Sequence, residues 1–141
     1  MPETIIGNME QKRASFAYKC AKMATQENIM PKYSAYVKKL PMMIKTNGLG
    51  AALTFVFAKK NNKNKIDSPE KQAYRKLYED IQKWLTEESP LIKIKLKKEE
   101  ELIDSIVKQE SQKYRMLTIE TLAFLNWLKR FSEGMVKEEG E

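Results

Sequence analysis

Histidine is absent from the 141 residues, and cysteine occurs once, at Cys20. The first absence removes the commonest general base and the commonest transition-metal ligand. A zinc or iron site would have to be built almost wholly from carboxylates, and one thiol cannot form an internal disulfide. Cys20 falls on the apolar side of a predicted helix and reads as a buried, inert thiol. Glycine is scarce, with five residues. Gly48-Leu49-Gly50 is the nearest approach to a phosphate-cradling loop, but it is too short and lacks the following Lys-Ser/Thr. The serines have no histidine to activate them. No apolar run approaches the roughly 18–20 residues that span a bilayer, and residues 1–25 lack the uninterrupted apolar core of a signal peptide. The expectation is a cytoplasmic protein with no membrane partner, no metal, no cofactor and no catalytic residue.

Carboxylates are present in clusters, at Glu87-Glu88 and at Glu99-Glu100-Glu101 with Asp104. An acid–base pair needs two carboxyl groups converging on one cleft. Adjacent glutamates at helix ends diverge and favour the N-terminal dipole, so these runs read as helix starts and solvated faces. Net charge is +7, unevenly spread: residues 1–66 hold 12 Lys+Arg against 3 Asp+Glu, and residues 67–141 hold 14 against 16. A basic half joined to a near-neutral half suits a polyanion on one side and protein neighbours on the other.

The length fits one domain, residues 1–141, and helical periodicity dominates it. Ile6, Met9, Phe16, Cys20 and Met23 line one side of a helix over 4–26, with Ala17 and Ala24 beside them. A second helix starts at Pro31 and carries Tyr33, Tyr36, Val37 and Leu40; Pro41 should kink or restart it. Asn47-Gly48 reads as a glycine-assisted stop before a short helix over 49–60. A polar loop follows at 61–67. Asp67, Ser68, Pro69 and Glu70 form the next helix start, with Asp67 three residues ahead of Glu70, and Tyr74, Leu77, Tyr78, Ile81, Trp84 and Leu85 give a core stripe up to Ser89-Pro90. In 91–98, Ile92, Ile94 and Leu96 alternate with Lys93, Lys95 and Lys97, but no second strand exists to pair with them. This stretch reads as an extended connector running into a helix over 98–110. The last helix, Tyr114 to Gly134, places Leu117, Phe124, Leu125, Leu128 and Phe131 on one face, and the acidic tail 135–141 is expected to fray. The fold class is all-α, a compact single-domain bundle of five to seven helices.

Basic and aromatic residues are the remaining functional signal. Lys38, Lys39 and Lys45 surround Pro41, and Lys59 and Lys60 follow closely, with Lys63 and Lys65 beyond. Cationic side chains along a backbone, with aromatic faces for bases, are how single-stranded RNA is held. Tyr33 and Tyr36 have helical spacing and therefore read first as core. Arg115, Ile119, Leu122, Asn126 and Arg130 make a second stripe on the last helix. That mixture of arginine and apolar side chains suits a protein contact, with Arg115, Asn126 and Arg130 as interface candidates. Trp127 reads as core, and Glu120 as a buried partner for an arginine.

Two segments carry a more particular signal. The first runs from Tyr33 and holds Tyr36, Leu40, Pro41, Ile44, Asn47, Gly48 and Leu49. The second holds Tyr114, Arg115, Glu120 and the run Trp127-Leu128-Lys129-Arg130-Phe131. In order and separation they resemble the small subunit of the Cmr complex, the type III-B CRISPR effector that binds and cleaves RNA. The resemblance implies a non-catalytic subunit in antiviral defence, lying beside the crRNA-bearing backbone filament. Its implied partners are the other Cmr subunits (backbone and large), copies of itself in a filament, crRNA and target RNA. Target cleavage would belong to the backbone subunit, and other activities to the large one. The competing class is a free-standing helical nucleic-acid binder or regulator. A helix-turn-helix needs a recognition helix with exposed polar residues at its start, whereas the helix after Asn47-Gly48 begins Leu-Gly-Ala-Ala-Leu and belongs in a core.

Overall fold

The computed structural model describes the backbone of residues 2–61 and 67–140 and the side chains of 7–61 and 67–136. Among the described residues there are six α-helices, one π-helical turn and no strand. In α1 (Pro2–Gln26) the buried residues are Phe16, Ala17, Cys20, Ala21 and Ala24. Three alanines on one stripe let the neighbouring backbone approach closely, and α1 packs along α6 (Ser111–Gly140). Met23 does not belong to that stripe: its side chain is 52% exposed, because the alanines bring α1 into contact on the side next to it. The side chain of Ile6 lies outside the described residues.

α2 (Met30–Asn47) continues unbroken through Pro41 instead of restarting there. Proline costs this helix one backbone donor, and burial of Tyr33, Val37, Leu40 and Ile44 against α3, α4 and α6 outweighs that loss. Gly48 ends α2 with φ +94°, a conformation suited to glycine, and its N–H donates to the Ile44 carbonyl at 2.8 Å. It is also the N-cap of α3 (Leu49–Lys60). The Tyr114 hydroxyl seals this junction by accepting the Gly50 N–H at 2.8 Å. The Asn47-Gly48-Leu49 and Tyr114-Arg115 segments, distant in sequence, thus meet in space.

The start of α4 (Pro69–Lys83) is capped by Ser68, whose Oγ accepts from the Lys71 N–H at 3.2 Å. Within the expected Asp67-to-Glu70 start, Asp67 pairs with Arg75 at 2.5 Å and leaves the capping to Ser68. Residues 62–66 of the preceding loop, including Lys63 and Lys65, lie outside the described residues. A π turn, Trp84–Glu88, extends α4 and sets Trp84 at the centre of the core. Its ring stacks on Phe124 (5.3 Å) and Phe16 (5.7 Å), and its Nε1–H donates to the Glu120 carbonyl at 3.1 Å. Residues 89–101 form the connector, which bends at 90–91 and turns at 98–99. The helix expected over 98–110 is shorter, α5 (Leu102–Lys108), since Glu99 takes a positive φ of 65° that breaks it upstream. α6 runs past Gly134 to Gly140; an exposed glycine within a helix weakens it by only about 1 kcal/mol against alanine. Leu125 and Leu128 are fully buried, but Phe131 only half so, where the stripe reaches the bundle's edge beside Tyr18 and Trp127.

Candidate nucleic-acid interface

The five lysines singled out in sequence are not gathered on one surface. Lys38 and Lys45, seven residues apart, share a side of α2, and Lys38 reaches Glu133 of α6 at 3.7 Å. Lys39 turns the other way, toward a shallow groove between α2, α3 and α4 that is lined by Tyr36, Met43, Phe55 and Tyr74. Lys59 lies over the Phe55 ring at 5.4 Å. Lys60 lies over Phe57 and Tyr78, 4.8 Å from each centroid, and its ammonium donates to Asn61 Oδ1. Lys38, Lys39, Lys45 and Lys59 are exposed; Lys60 is half-buried.

Lys39 and Lys59 therefore flank an aromatic cluster. Tyr36 and Tyr74 stack with centroids 3.8 Å apart and planes 9° from parallel, and Phe55 meets Tyr74 edge-on at 6.1 Å. Burial, and then the neighbouring Tyr74, push the Tyr36 phenol up to about 12. Burial also raises Tyr74, so both remain neutral and able to pack or donate. Phe55, 39% exposed, and Tyr74 were not singled out for this role in the sequence. The signal for Phe55 was an aromatic on the outer side of an otherwise core-like helix, whereas Tyr74 had read as part of the α4 core stripe. Tyr33 is wholly buried, as its spacing suggested.

On α6, Arg115, Asn126 and Arg130 are exposed and Ile119 is 52% exposed, whereas Leu122, in the middle of the second stripe, is half-buried against the core. Arg130 covers the Trp127 ring at 5.6 Å. Neither Arg115 nor Arg130 binds Glu120. That carboxylate is fully buried and takes the guanidinium of Arg13 from α1 on Oε2, with Ser89 Oγ donating to Oε1 at 3.0 Å. Arg13 also holds Glu10 at 2.5 Å, and Trp127 Nε1–H donates to Glu10 at 3.0 Å. Those two bonds, Arg13 first, hold the Glu10 carboxyl below its usual range.

A second polar cluster lies at the base of a cleft of about 450 Å³ between α1 and α4. Asp80 accepts from the Tyr33 hydroxyl at 2.5 Å and from Lys76 Nζ at 2.9 Å. Burial and then the Asp80 charge push both the Cys20 thiol and the Tyr33 phenol up, so each stays protonated at neutral pH. Among the described residues no group of three or more Cys, Asp or Glu side chains could hold a metal ion. No helix among them is long and apolar enough to cross a membrane.

The family model for CRISPR-associated protein (Cas_Cmr5) matches residues 9–135, which is nearly the whole of this helical bundle. The chain belongs to the Cas_Cmr5 family. It is similar to the CRISPR system Cmr subunit Cmr5 of Thermus thermophilus, at 28% identity over 125 residues, covering 89% of this chain and 93% of the relative. Family membership bears out the resemblance carried by the Tyr36-to-Leu49 and Tyr114-to-Phe131 segments. In this Cas_Cmr5 member much of that wording is architecture: Tyr114 closes the α2–α3 junction, Glu120 ties α1 to α6, and Trp127 bonds Glu10.

Proposed function

We propose that the chain is a non-catalytic small subunit of a type III-B CRISPR effector. It packs beside the crRNA-bearing backbone and with copies of itself, and helps hold crRNA and target RNA. The observation that carries this reading is the family match across residues 9–135. The exposed lysines of α2 and α3 support the RNA role: Lys39 and Lys59 put cations beside the Tyr36–Tyr74–Phe55 aromatics, the pairing that single strands use. Lys38 and Lys45 extend the charge along α2, and Lys60 along α3. The α6 stripe, with Arg115, Asn126 and Arg130 exposed, suits a neighbouring subunit, since arginine is enriched at interfaces.

The test is reconstitution with the backbone and large subunits and crRNA. R115E/R130E should keep its melting temperature yet join the complex poorly. K38E/K39E/K45E should join it but weaken RNA binding and flatten its salt dependence, by about 0.7 in log–log slope for each phosphate no longer neutralised. Full incorporation of R115E/R130E would move the protein interface elsewhere. Metal-dependent RNA cleavage that tracks with the purified chain would contradict the non-catalytic role.

A further inference from the structure

The extended connector exposes a row of cations that the reading above leaves unused. Ile94 anchors it: the side chain is buried and its N–H donates to the Leu85 carbonyl at 2.8 Å. Alternation then turns Ile92, Ile94 and Leu96 onto the core and leaves Lys93, Lys95 and Lys97 exposed on the other side, with Lys98 following. None of these four ammonium groups makes an ion pair or a hydrogen bond to the described residues, whereas Lys38, Lys76 and Lys108 each have a carboxylate. In the acidic run just downstream, Glu99 is exposed and pairs with none of the four lysines. Glu100 folds back to accept the Lys97 N–H at 3.0 Å and approaches Lys108 at 3.8 Å, while Glu101 accepts from the Tyr78 hydroxyl at 3.1 Å. Beside the connector lies an open groove of about 500 Å³ lined by Gln82, Thr86, Lys93, Ile94, Lys95 and Leu96, with no carboxylate.

Spacing selects the ligand. Every second residue of an extended chain advances about 6.6 Å, close to the separation of successive phosphates along an extended single strand. We infer that Lys93, Lys95 and Lys97 form a second RNA-backbone contact, following consecutive phosphates of one strand, apart from the lysines of α2 and α3. The ligand, though not the location, rests on the RNA-holding reading above. Recognition here is of charge and spacing, so it is indifferent to base sequence.

The test uses the full chain and an unstructured oligouridine, with affinity measured over a salt series. The variants are K93Q/K95Q/K97Q, K39Q/K59Q, and K12Q/K19Q/K22Q, which removes equal charge from exposed positions on α1. The connector variant should keep the wild-type circular dichroism and melting temperature while its log–log salt slope becomes shallower by about 2, three phosphates at about 0.7 each. The α1 variant should keep the wild-type slope. An unchanged slope for the connector variant, with K39Q/K59Q weakened, overturns this inference and leaves the RNA reading standing. Equal flattening by the α1 variant also overturns it, since net charge alone would then explain the effect. An unchanged slope with lost assembly into the reconstituted effector would make the connector an edge for a protein strand, again against the inference. No salt-dependent binding by the wild type would sink the RNA reading itself.

Discussion

Glu120 is the residue on which most of the bundle's internal polar order converges. Its carboxylate meets Arg13 and Ser89, and its backbone carbonyl accepts the Trp84 indole, so one residue of α6 touches α1, the connector and the π turn. Glu120→Ala would leave the Arg13 guanidinium, 13% exposed, without its buried partner. Removing one member of such a pair costs about 3–5 kcal/mol, and denaturant unfolding should show a loss of that size. A change under about 1 kcal/mol, the range of exposed pairs, would mean that water reaches the site. The tyrosines give a pH test. Tyr33, Tyr36, Tyr74 and Tyr78 are all raised above their usual 10.0, burial being the largest cause in each. The fold favours the protonated phenol, so this contribution is complete below about pH 10 and is lost as pH rises through the folded values, about 12 for Tyr36. Helical circular dichroism should therefore fall together with the appearance of most of the tyrosinate absorbance. Smooth ionisation of those four near the usual 10.0 with helices intact would contradict it.

At the level of elements, the aromatic trio Phe16–Trp84–Phe124 and the edge cluster Tyr18–Trp127–Phe131 differ in burial, so they should differ in energy. Phe124→Ala empties a fully buried site and should cost about 3–5 kcal/mol. Phe131 is half-buried, and Phe131→Ala should cost roughly half as much, on the proportionality of stabilisation to area removed from water. Equal losses would show that α6 is as tightly held at its C-terminal end as at its centre. The periodicity of Phe124, Leu125 and Leu128 made the α6 core stripe legible in the sequence, but the half-burial of Phe131, whose ring meets Tyr18 of α1 edge-on, was not. Helix existence was likewise legible from apolar spacing. The persistence of α2 through Pro41 was not, because burial against three other helices decides it. The Asp67-Ser68-Pro69-Glu70 run marked the α4 start, but that Ser68 is the one to cap it rests on Asp67 pairing with Arg75, and the π turn at Trp84 has no local sequence mark. Glu120 could be read as buried beside an arginine, but its partner lies 107 residues away in the chain, and only the packing of α1 on α6 selects Arg13 over Arg115 or Arg130.

Across the whole molecule, the arrangement separates surfaces that the linear charge pattern merged. Of the lysines singled out in the basic half, residues 1–66, Lys38 and Lys45 share one side of α2, while Lys39 and Lys59 flank an aromatic groove. The near-neutral half still presents on its connector four lysines that no carboxylate among the described residues neutralises. The exposed residues of the α6 stripe lie away from the face that packs on α1 and α2. Such a body suits a component that is gripped by protein on one side and follows a polyanion on another, and the match to the Cas_Cmr5 family says which kind of assembly that is. The direct measurement is affinity purification of the tagged full chain from its own host cells, with the co-eluting proteins and RNA identified. The account predicts that the other subunits of a CRISPR effector, and short RNAs carrying CRISPR repeat sequence, elute with it in fixed proportion. Elution alone, or with partners unrelated to a CRISPR effector under conditions that preserve such complexes, would contradict it.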